Sequence, residues 1–238
     1  MFAREPLKYF FMSPPAACPY VPGRRERLVF TDLISDDPDS LHHRLAQAGF
    51  RRSQNIAYKP ACPGCSACVP VRVPADRFRL TPSHRRVLKR NDDVTARWMP
   101  VAATREHYAL FRRYVVGRHA DGGMAGMGFA EYRAMVEESP VDTGLVEFRG
   151  RDNTLYGVCL TDRLSDGLSL VYSFYDVERA GDSPGGFIIL WHLAEARRSS
   201  LPFVYLGYWI GDSRKMAYKT RYRPIEALGD KGWEPLFD

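Results

Sequence analysis

Four cysteines in the first third of the chain have the spacing of metal ligands. Cys62, Cys65 and Cys68 stand in ACPGCSACVPVR as C-x2-C-x2-C, and Cys18 lies upstream in CPYV. Thiolates two residues apart reach one metal ion because a tight turn brings their sulfurs together. The set predicts a zinc site or an iron–sulfur cluster, with buried or redox-active thiols as the alternative. Zinc and iron analysis of anaerobically purified protein distinguishes these cases.

The C-terminal stretch LGYWIGDSRKMAYKTRYRP mixes aromatic and basic side chains. Aromatic faces stack on bases and basic groups hold phosphates, so this mixture suits a single-stranded RNA end. The alternative is a set of core aromatic residues accompanied by Lys and Arg side chains that face solvent. The residues expected to contact a substrate here are Tyr208, Lys215, Lys219 and Arg221.

The positive charge of the chain is concentrated in its first part. The net charge of +6 arises from 34 Lys and Arg against 28 Asp and Glu, and residues 1–100 hold 17 of these basic residues against 9 acidic ones. Residues 72–90 alone contain seven basic side chains and one acid, Asp76. Such a segment suits contact with a polyanion. The alternative is a solvated helix face.

Several classes of protein are excluded by what the sequence lacks. No apolar run approaches the ~18 to 20 residues of a membrane span, and the N-terminus has no signal-like segment. We therefore expect a cytoplasmic protein without a membrane partner. An odd count of five cysteines argues against a disulfide framework. The chain also has no Ser-His-Asp signature, Walker loop or dinucleotide glycine fingerprint.

The elements that would position these residues are clearest after residue 140. We predict strands at 144–149, 155–161 and 168–175, a helix from about 187 to 198 that starts after Gly185 and Gly186, and a strand at 203–210. This order matches the α+β acyltransferase core called the GNAT fold. We expect a GNAT-like C-terminal domain over residues 101–238 and a smaller cysteine-containing basic domain over residues 1–100.

Earlier elements follow from caps, prolines and periodicity. Pro70 favours an edge strand at 69–73, since proline cannot donate to a central ladder. Asp39 or Ser40 would cap a helix at 39–49, and Ser83 would cap a basic helix at 83–92. The remaining predictions are a strand at 26–33 and helices at 104–118 and 129–138.

Long blocks of the sequence resemble one known family. RRSQNIAYKPACPGCSACVPVRV, SHRRVLKRNDD, LYGVCLTDRLSDGLSLVYSFYD and LPFVYLGYWIGDSRKMAYKTRYRP are similar to the signature blocks of arginyl-tRNA–protein transferases. The resemblance covers nearly the whole chain, and the short bacterial branch of the family is the most similar. That branch attaches leucine from leucyl-tRNA to proteins that begin with Asp or Glu, which marks them for the N-degron pathway.

The resemblance implies an aminoacyltransferase whose partners are leucyl-tRNA and acceptor proteins with an acidic N-terminal residue. No cofactor is required for the chemistry, because the donor ester is already activated and the reaction needs positioning, a neutral amine and a stabilised oxyanion. Arginine as the donor remains an alternative, since the same blocks serve both activities. A non-catalytic RNA-binding module held by a metal is another, and an acyl-CoA acetyltransferase is a distant one.

Candidate roles can be assigned on this interpretation. The acidic side chain of the acceptor needs a cation, for which Lys59, Arg72 and Arg79 are candidates with Tyr58 as hydrogen-bonding support. The ester would lie beside Ser173 and Tyr175 on the strand LSLVYSFYD. Asp176, with Tyr175, is the catalytic candidate that orients or deprotonates the amine; the alternative is that Asp176 caps a turn. Backbone N–H groups of Gly185 and Gly186 would hold a phosphate or an oxyanion. His84 and His119 are alternates for the proton transfer.

Overall fold

The computed structural model describes residues 8–120, 122–213 and 216–237. The helices are α1 (Pro38–Gln47), α2 (Pro82–Arg90), α3 (Arg105–His119), α4 (Phe129–Glu137) and α5 (Pro184–Arg198), with 3-10 helices at Val177–Asp182 and Ala217–Arg221. The strands are β1 (Phe11–Met12), β2 (Ala16–Ala17), β3 (Arg25–Glu26), β4 (Leu28–Asp32), β5 (Arg51–Ser53), β6 (Ile56–Pro60), β7 (Val69–Pro74), β8 (Thr95–Met99), β9 (Thr143–Arg149), β10 (Leu155–Leu164), β11 (Gly167–Tyr175), β12 (Phe203–Trp209), β13 (Glu226–Gly229) and β14 (Gly232–Pro235). Within these ranges no helix is long and apolar enough to span a bilayer.

One eight-stranded sheet organises the molecule, in the order β14-β13-β7-β12-β11-β10-β9-β8. All its described pairings are antiparallel except that of β11 with β12, which run parallel. The helix α5 connects these two strands, as a parallel pair requires. A four-stranded sheet, β1-β4-β6-β5, and the hairpin of β2 and β3 are formed from the first 60 residues.

Helices cover both faces of the large sheet. Val158 and Leu160 of β10 pack in the cluster that contains α3 and α4, whereas Cys159 between them packs against Ile188 of α5. This alternation follows from the two-residue period of a strand. The sheet is therefore buried on both sides over β10.

Most predicted elements are present, and three predictions are wrong in detail. The strand at 69–73 is central, not an edge, because β13 pairs only with Val71 and Arg72 and demands no donor from Pro70. Asp37 caps α1, since its side chain accepts from Ser40 N and the helix starts at Pro38. Thr81 caps α2 in the same way. The mixed α/β chain with a large sheet agrees with the predicted class, while the domain boundary near residue 100 stays a prediction.

A buried ionic cluster ties the first part of the chain to β10. Arg52 donates to both oxygens of Asp162, each at 2.7 Å, and both side chains have 0% exposure. His42 Nε2 lies 3.0 Å from Asp162 Oδ2, and Thr143 Oγ1 donates to Oδ1 at 2.8 Å. The Arg52 and His42 hydrogen bonds hold the pKa of Asp162 below its usual range although burial raises it. Removing one partner of a buried ionic cluster leaves an unpaired buried charge, which destabilises the fold.

We expect Asp162→Asn to destabilise the fold by about 3 to 5 kcal/mol, because it leaves the Arg52 charge buried and unpaired. Asp142→Asn is the matched control: its pair with Arg163 is exposed by 51% and 39%, so its loss should cost less than about 1 kcal/mol. Urea unfolding followed by circular dichroism measures both. Equal costs for the two variants would contradict the role given to the cluster.

Candidate active site

The parallel strands β11 and β12 separate soon after they meet. They pair only over Gly167–Ser169 and Phe203–Tyr205, and each then carries a bulge. In β11 the register with β10 skips Val171, and in β12 the register with β7 skips Leu206. Bulges bend strands and turn backbone groups out of the ladder. The result is an opening between the two strands, which we call the split.

Arg51 of β5 occupies this split. Its Nη2 donates to the carbonyl oxygens of Leu170 at 3.2 Å and Val171 at 2.8 Å, the two carbonyls at the bulge. Gly207 of β12 has φ +74°, and a Cβ at that position would overlap the Arg51 guanidinium. Glycine is therefore required where the arginine passes. In the part of the chain that the structure describes, no carboxylate pairs with Arg51, and its Nε and Nη1 have no hydrogen-bond acceptor.

Lys219 lies near Arg51 and beside β12. Its side chain is 4% exposed and its Nζ donates to the carbonyl of Tyr208 in β12. Burial, and secondarily the Arg51 charge, lower the pKa of Lys219 to about 7. The prediction that Lys219 contacts an RNA phosphate at the surface does not fit this burial. The structure brings Lys219 together with Tyr208, which was predicted in the same stretch.

The end of β11 and the start of α5 form the next part of the site. Tyr175 packs edge-on against Tyr114, with ring centroids 4.9 Å apart. A Cβ at Gly185 would lie 3.0 Å from Tyr175 Cε1 and 3.5 Å from its hydroxyl, so Gly185 allows their close approach. Ser173 is two residues earlier on β11. Asp176 caps the 3-10 helix that follows, since its Oδ1 accepts from Glu178 N at 3.0 Å, and its catalytic role stays a prediction.

A basic surface adjoins this end of α5. A Cβ at Gly186 would lie 3.5 Å from the Tyr222 hydroxyl, and Tyr222 stacks on His84 of α2 at 5.3 Å with rings 7° from parallel. Burial and Arg221 lower the pKa of His84, which places Arg221 near α2. The exposed cations that define the basic surface are Arg85, Arg86, Lys89, Arg90 and Arg221. Lys215 lies outside the described residues.

A cavity of about 390 Å³ has Tyr208 of β12 in its lining. Its lining includes the four cysteines Cys18, Cys62, Cys65 and Cys68, with Tyr20 and Tyr58. The Tyr208 hydroxyl lies 3.0 Å from the Gly49 carbonyl and 3.1 Å from the Tyr58 carbonyl. Tyr208 thus lines the cavity and follows Gly207 on the part of β12 that borders the split.

The four thiols share this cavity but are not arranged as ligands. Burial, followed by the proximity of Cys18, Cys62 and Cys65, raises the pKa of Cys68 to about 11, so this thiol is protonated at neutral pH. Cys18 and Cys62 each accept a backbone N–H at 3.4 Å, from Val21 and Arg27. Among the described residues no three Cys, His, Asp or Glu side chains converge on one metal position. The metal site stays a prediction.

The three cations predicted for an acidic acceptor are engaged elsewhere. Arg72 is 8% exposed, donates to Glu226 at 2.9 Å and lies over the Phe203 ring at 3.5 Å. Lys59 Nζ donates to the Ala48 carbonyl at 3.0 Å. Arg79 donates to the carbonyls of its own turn, at 2.7 Å to that of Asp76. None of them lines the split.

Arg51 is the residue that sequence reasoning missed. It neighbours Arg52, and nothing in the dipeptide distinguishes a structural arginine from one that faces a site. Successive residues of a strand point to opposite faces, which sends Arg52 to Asp162 and Arg51 to the split. The available signal was Gly207 in YLGYW, because a glycine inside a strand marks a close approach.

Two protein-family models match the chain. "Arginine-tRNA-protein transferase, N terminus" matches residues 16–86, and "Arginine-tRNA-protein transferase, C terminus" matches residues 106–229. Among solved structures, that of L-PGS from Bacillus licheniformis has a TM-score of 0.47 and 11% identity, covering 60% of this chain and 47% of that one. This structural similarity is too low to assign a fold or a function.

Curated relatives match over almost the full length. The Aspartate/glutamate leucyltransferase of Paramagnetospirillum magneticum is 55% identical over 96% of this chain and 95% of its own. Proteins of the same name from Parvibaculum lavamentivorans and Granulibacter bethesdensis are 52% and 50% identical, over 97% and 96% of this chain and 96% and 86% of their own. With both family models and these identities, the chain belongs to the arginine-tRNA–protein transferase family.

Proposed function

We propose that this protein transfers leucine from leucyl-tRNA to the α-amino group of polypeptides that begin with Asp or Glu, and so marks them for the N-degron pathway. The observation that carries the proposal is the near-full-length similarity to proteins named aspartate/glutamate leucyltransferase. The arrangement of the described residues supports it, because the structure contains an exposed basic surface at the start of α5 and a half-buried arginine, Arg51, without a carboxylate partner in the split.

A GNAT-like core is part of this proposal. The antiparallel strands β9, β10 and β11, the helix α5 and the parallel strand β12 follow one another as expected for that fold. In the proposed arrangement, Arg51 fills the split where an acyltransferase of this kind would hold an extended donor. A basic domain that carries the cysteines would then supply this arginine to the C-terminal part.

The basic surface provides the place for the acceptor arm of the tRNA. Its exposed arginines and lysine suit phosphates, and it meets Tyr222 and Gly186 at the start of α5. From there the 3′ end needs to pass Gly185 to bring the ester beside Tyr175 and Ser173. The first N–H groups of a helix have no partner within the helix, so those of Gly185 and Gly186 suit the developing oxyanion.

Arg51 is the cation that we assign to the acidic side chain of the acceptor. A carboxylate accepts charge-assisted hydrogen bonds from a guanidinium, and Nε and Nη1 of Arg51 have no acceptor within the described ranges. Arg51 is also held in place by the two bulge carbonyls. This assignment replaces Lys59, Arg72 and Arg79, whose hydrogen bonds direct them elsewhere.

Purified protein should transfer leucine from leucyl-tRNA to a peptide that begins with Asp, and should transfer little from arginyl-tRNA. Radiolabelled aminoacyl-tRNA and peptide capture measure both reactions. Arginine transfer in place of leucine would favour the alternative donor. Tight tRNA binding without any product would favour a non-catalytic RNA-binding module and would reject the proposal.

Arg85→Ala combined with Arg86→Ala should weaken binding of leucine-accepting tRNA about tenfold at low salt, because two phosphate contacts are lost. The slope of log K against log salt should also become shallower by about 1 to 2. Filter binding at salt concentrations from about 50 to about 200 mM measures the affinity and its salt dependence. Arg97→Ala with Arg133→Ala removes the same charge from exposed positions on β8 and α4. An equal loss in this control pair would argue against the basic surface.

Arg51→Met should lower kcat/KM for a peptide that begins with Asp. The loss should correspond to about 2 to 5 kcal/mol of free energy, since a charged contact is lost. The preference for an Asp-led over a matched Asn-led peptide should disappear, while the Kd for tRNA stays within about twofold. Arg97→Met is the exposed control, and Lys59→Met tests the competing cation. An Arg51→Met enzyme that keeps its Asp-over-Asn preference would exclude this assignment, and loss of preference in Lys59→Met would move it to Lys59.

A further inference from the structure

The amine of Lys219 is a buried group with no counter-ion. Its side chain is 4% exposed, and its one described hydrogen bond is donated to the Tyr208 carbonyl. No carboxylate within residues 8–120, 122–213 and 216–237 forms an ion pair with it. An ammonium group buried in this way is costly unless it is paired. The neutral amine, which has a free lone pair, is the form that this environment favours.

Burial and the one described charged neighbour of Lys219 both disfavour its ammonium form. Arg51 of β5 is the charged group that faces it, and repulsion from that guanidinium also disfavours the ammonium form. From β12 it meets Tyr208, whose pKa is raised by burial, so that this phenol stays neutral. From its own segment it adjoins Tyr218, with Nζ 6.0 Å from the ring centre and a pKa likewise raised by burial. No negative charge is supplied from any of these elements.

The position of Lys219 relates it to the chemistry of the split. Arg51 is the proposed partner of the acceptor's side-chain carboxylate, and in an N-terminal Asp or Glu the α-amine is only a few bonds from that carboxylate. A carboxylate held by Arg51 therefore brings the attacking amine to the neighbourhood of Lys219. The structure offers Asp176 as the other proton acceptor, but its carboxylate caps a turn.

We propose that Lys219 is the catalytic residue that accepts the proton of the attacking amine. This inference rests on the proposed function. The neutral α-amine attacks the ester carbonyl, a C–N bond forms, and the nitrogen becomes positive. Its proton passes to the lone pair of Lys219 Nζ. The C–O bond to the terminal ribose then breaks, and the leaving ribose oxygen takes the proton from Lys219, which returns to its neutral form.

The step predicts a distinctive pH dependence. Lys219 and the attacking amine, whose ordinary pKa is about 7.7 to 8.0, must both be neutral. Well below pH 7 the logarithm of the single-turnover rate should therefore rise with pH with a slope near 2 in the natural protein. Removal of Lys219 leaves only the substrate amine to titrate, so the slope should fall to about 1.

The experiment compares Lys219→Gln, Lys219→Met and Lys219→Arg with the natural protein in single turnovers of leucyl-tRNA and an Asp-led peptide. We expect losses of about 100-fold or more at pH 7.5 in all three. Lys219→Arg should be as impaired as the other two variants, because a guanidinium carries a positive charge but does not accept a proton. Thermal unfolding and tRNA binding identify any variant that fails to fold, and Lys231→Gln in the β13–β14 turn is the exposed control.

The outcomes separate the inference from the proposed function. A natural protein without leucyl transfer would reject the function itself. A natural protein with transfer, together with a folded Lys219→Gln or Lys219→Met enzyme within about threefold of its rate, would overturn the role of Lys219 alone. An unchanged slope of 2 in these variants would overturn it as well. Restored activity in Lys219→Arg would show that charge is what matters, and would also overturn it.

Discussion

The site depends on how the sheet accommodates an opening between two of its own strands. Where β11 and β12 diverge, their backbone acceptors lose the partners that a continuous ladder would supply. Buried carbonyls left in this state are costly. Side-chain donors satisfy these carbonyls: Arg51 donates hydrogen bonds to the carbonyls of Leu170 and Val171, and Lys219 donates one to that of Tyr208. The same opening that needs donors is thus filled with cationic groups.

These interior cations differ in kind from those on the surface. The cations of the basic surface are exposed, so they attract a polyanion over a distance but are screened by salt within about 10 Å at 0.1 M. Lys219 is buried and Arg51 is half-buried, so salt screens them less than it screens the exposed cations. An RNA that arrives through the first set and a carboxylate that is held by the second would therefore respond to ionic strength in different ways. The difference in salt dependence follows from burial, since both sets consist of Arg and Lys residues.

The sequence predicted elements better than it predicted side-chain partners. Helical spacing located α3, and apolar runs with turn signals located β9–β12, within a few residues, because these elements bury apolar faces. Pro70 led to the wrong prediction that β7 is an edge strand. The sequence does not show that β13 pairs with only two residues of β7. Arg72 was taken for a ligand-binding group, but it meets Glu226, a residue 154 positions away. Long-range pairs of this kind decide which charged side chain is free, and no local pattern contains them.

The position of β7 in the large sheet has a consequence for synthesis of the chain. Residues 69–74 are inserted between β12 and β13, which belong to the last 36 residues or so of the 238. On the ribosome this strand emerges long before either neighbour exists, and pairings so distant in sequence form late. The central ladder can close only after the residues of β12 and β13 have been synthesised. A product that stops before β12 would therefore lack the assembled split.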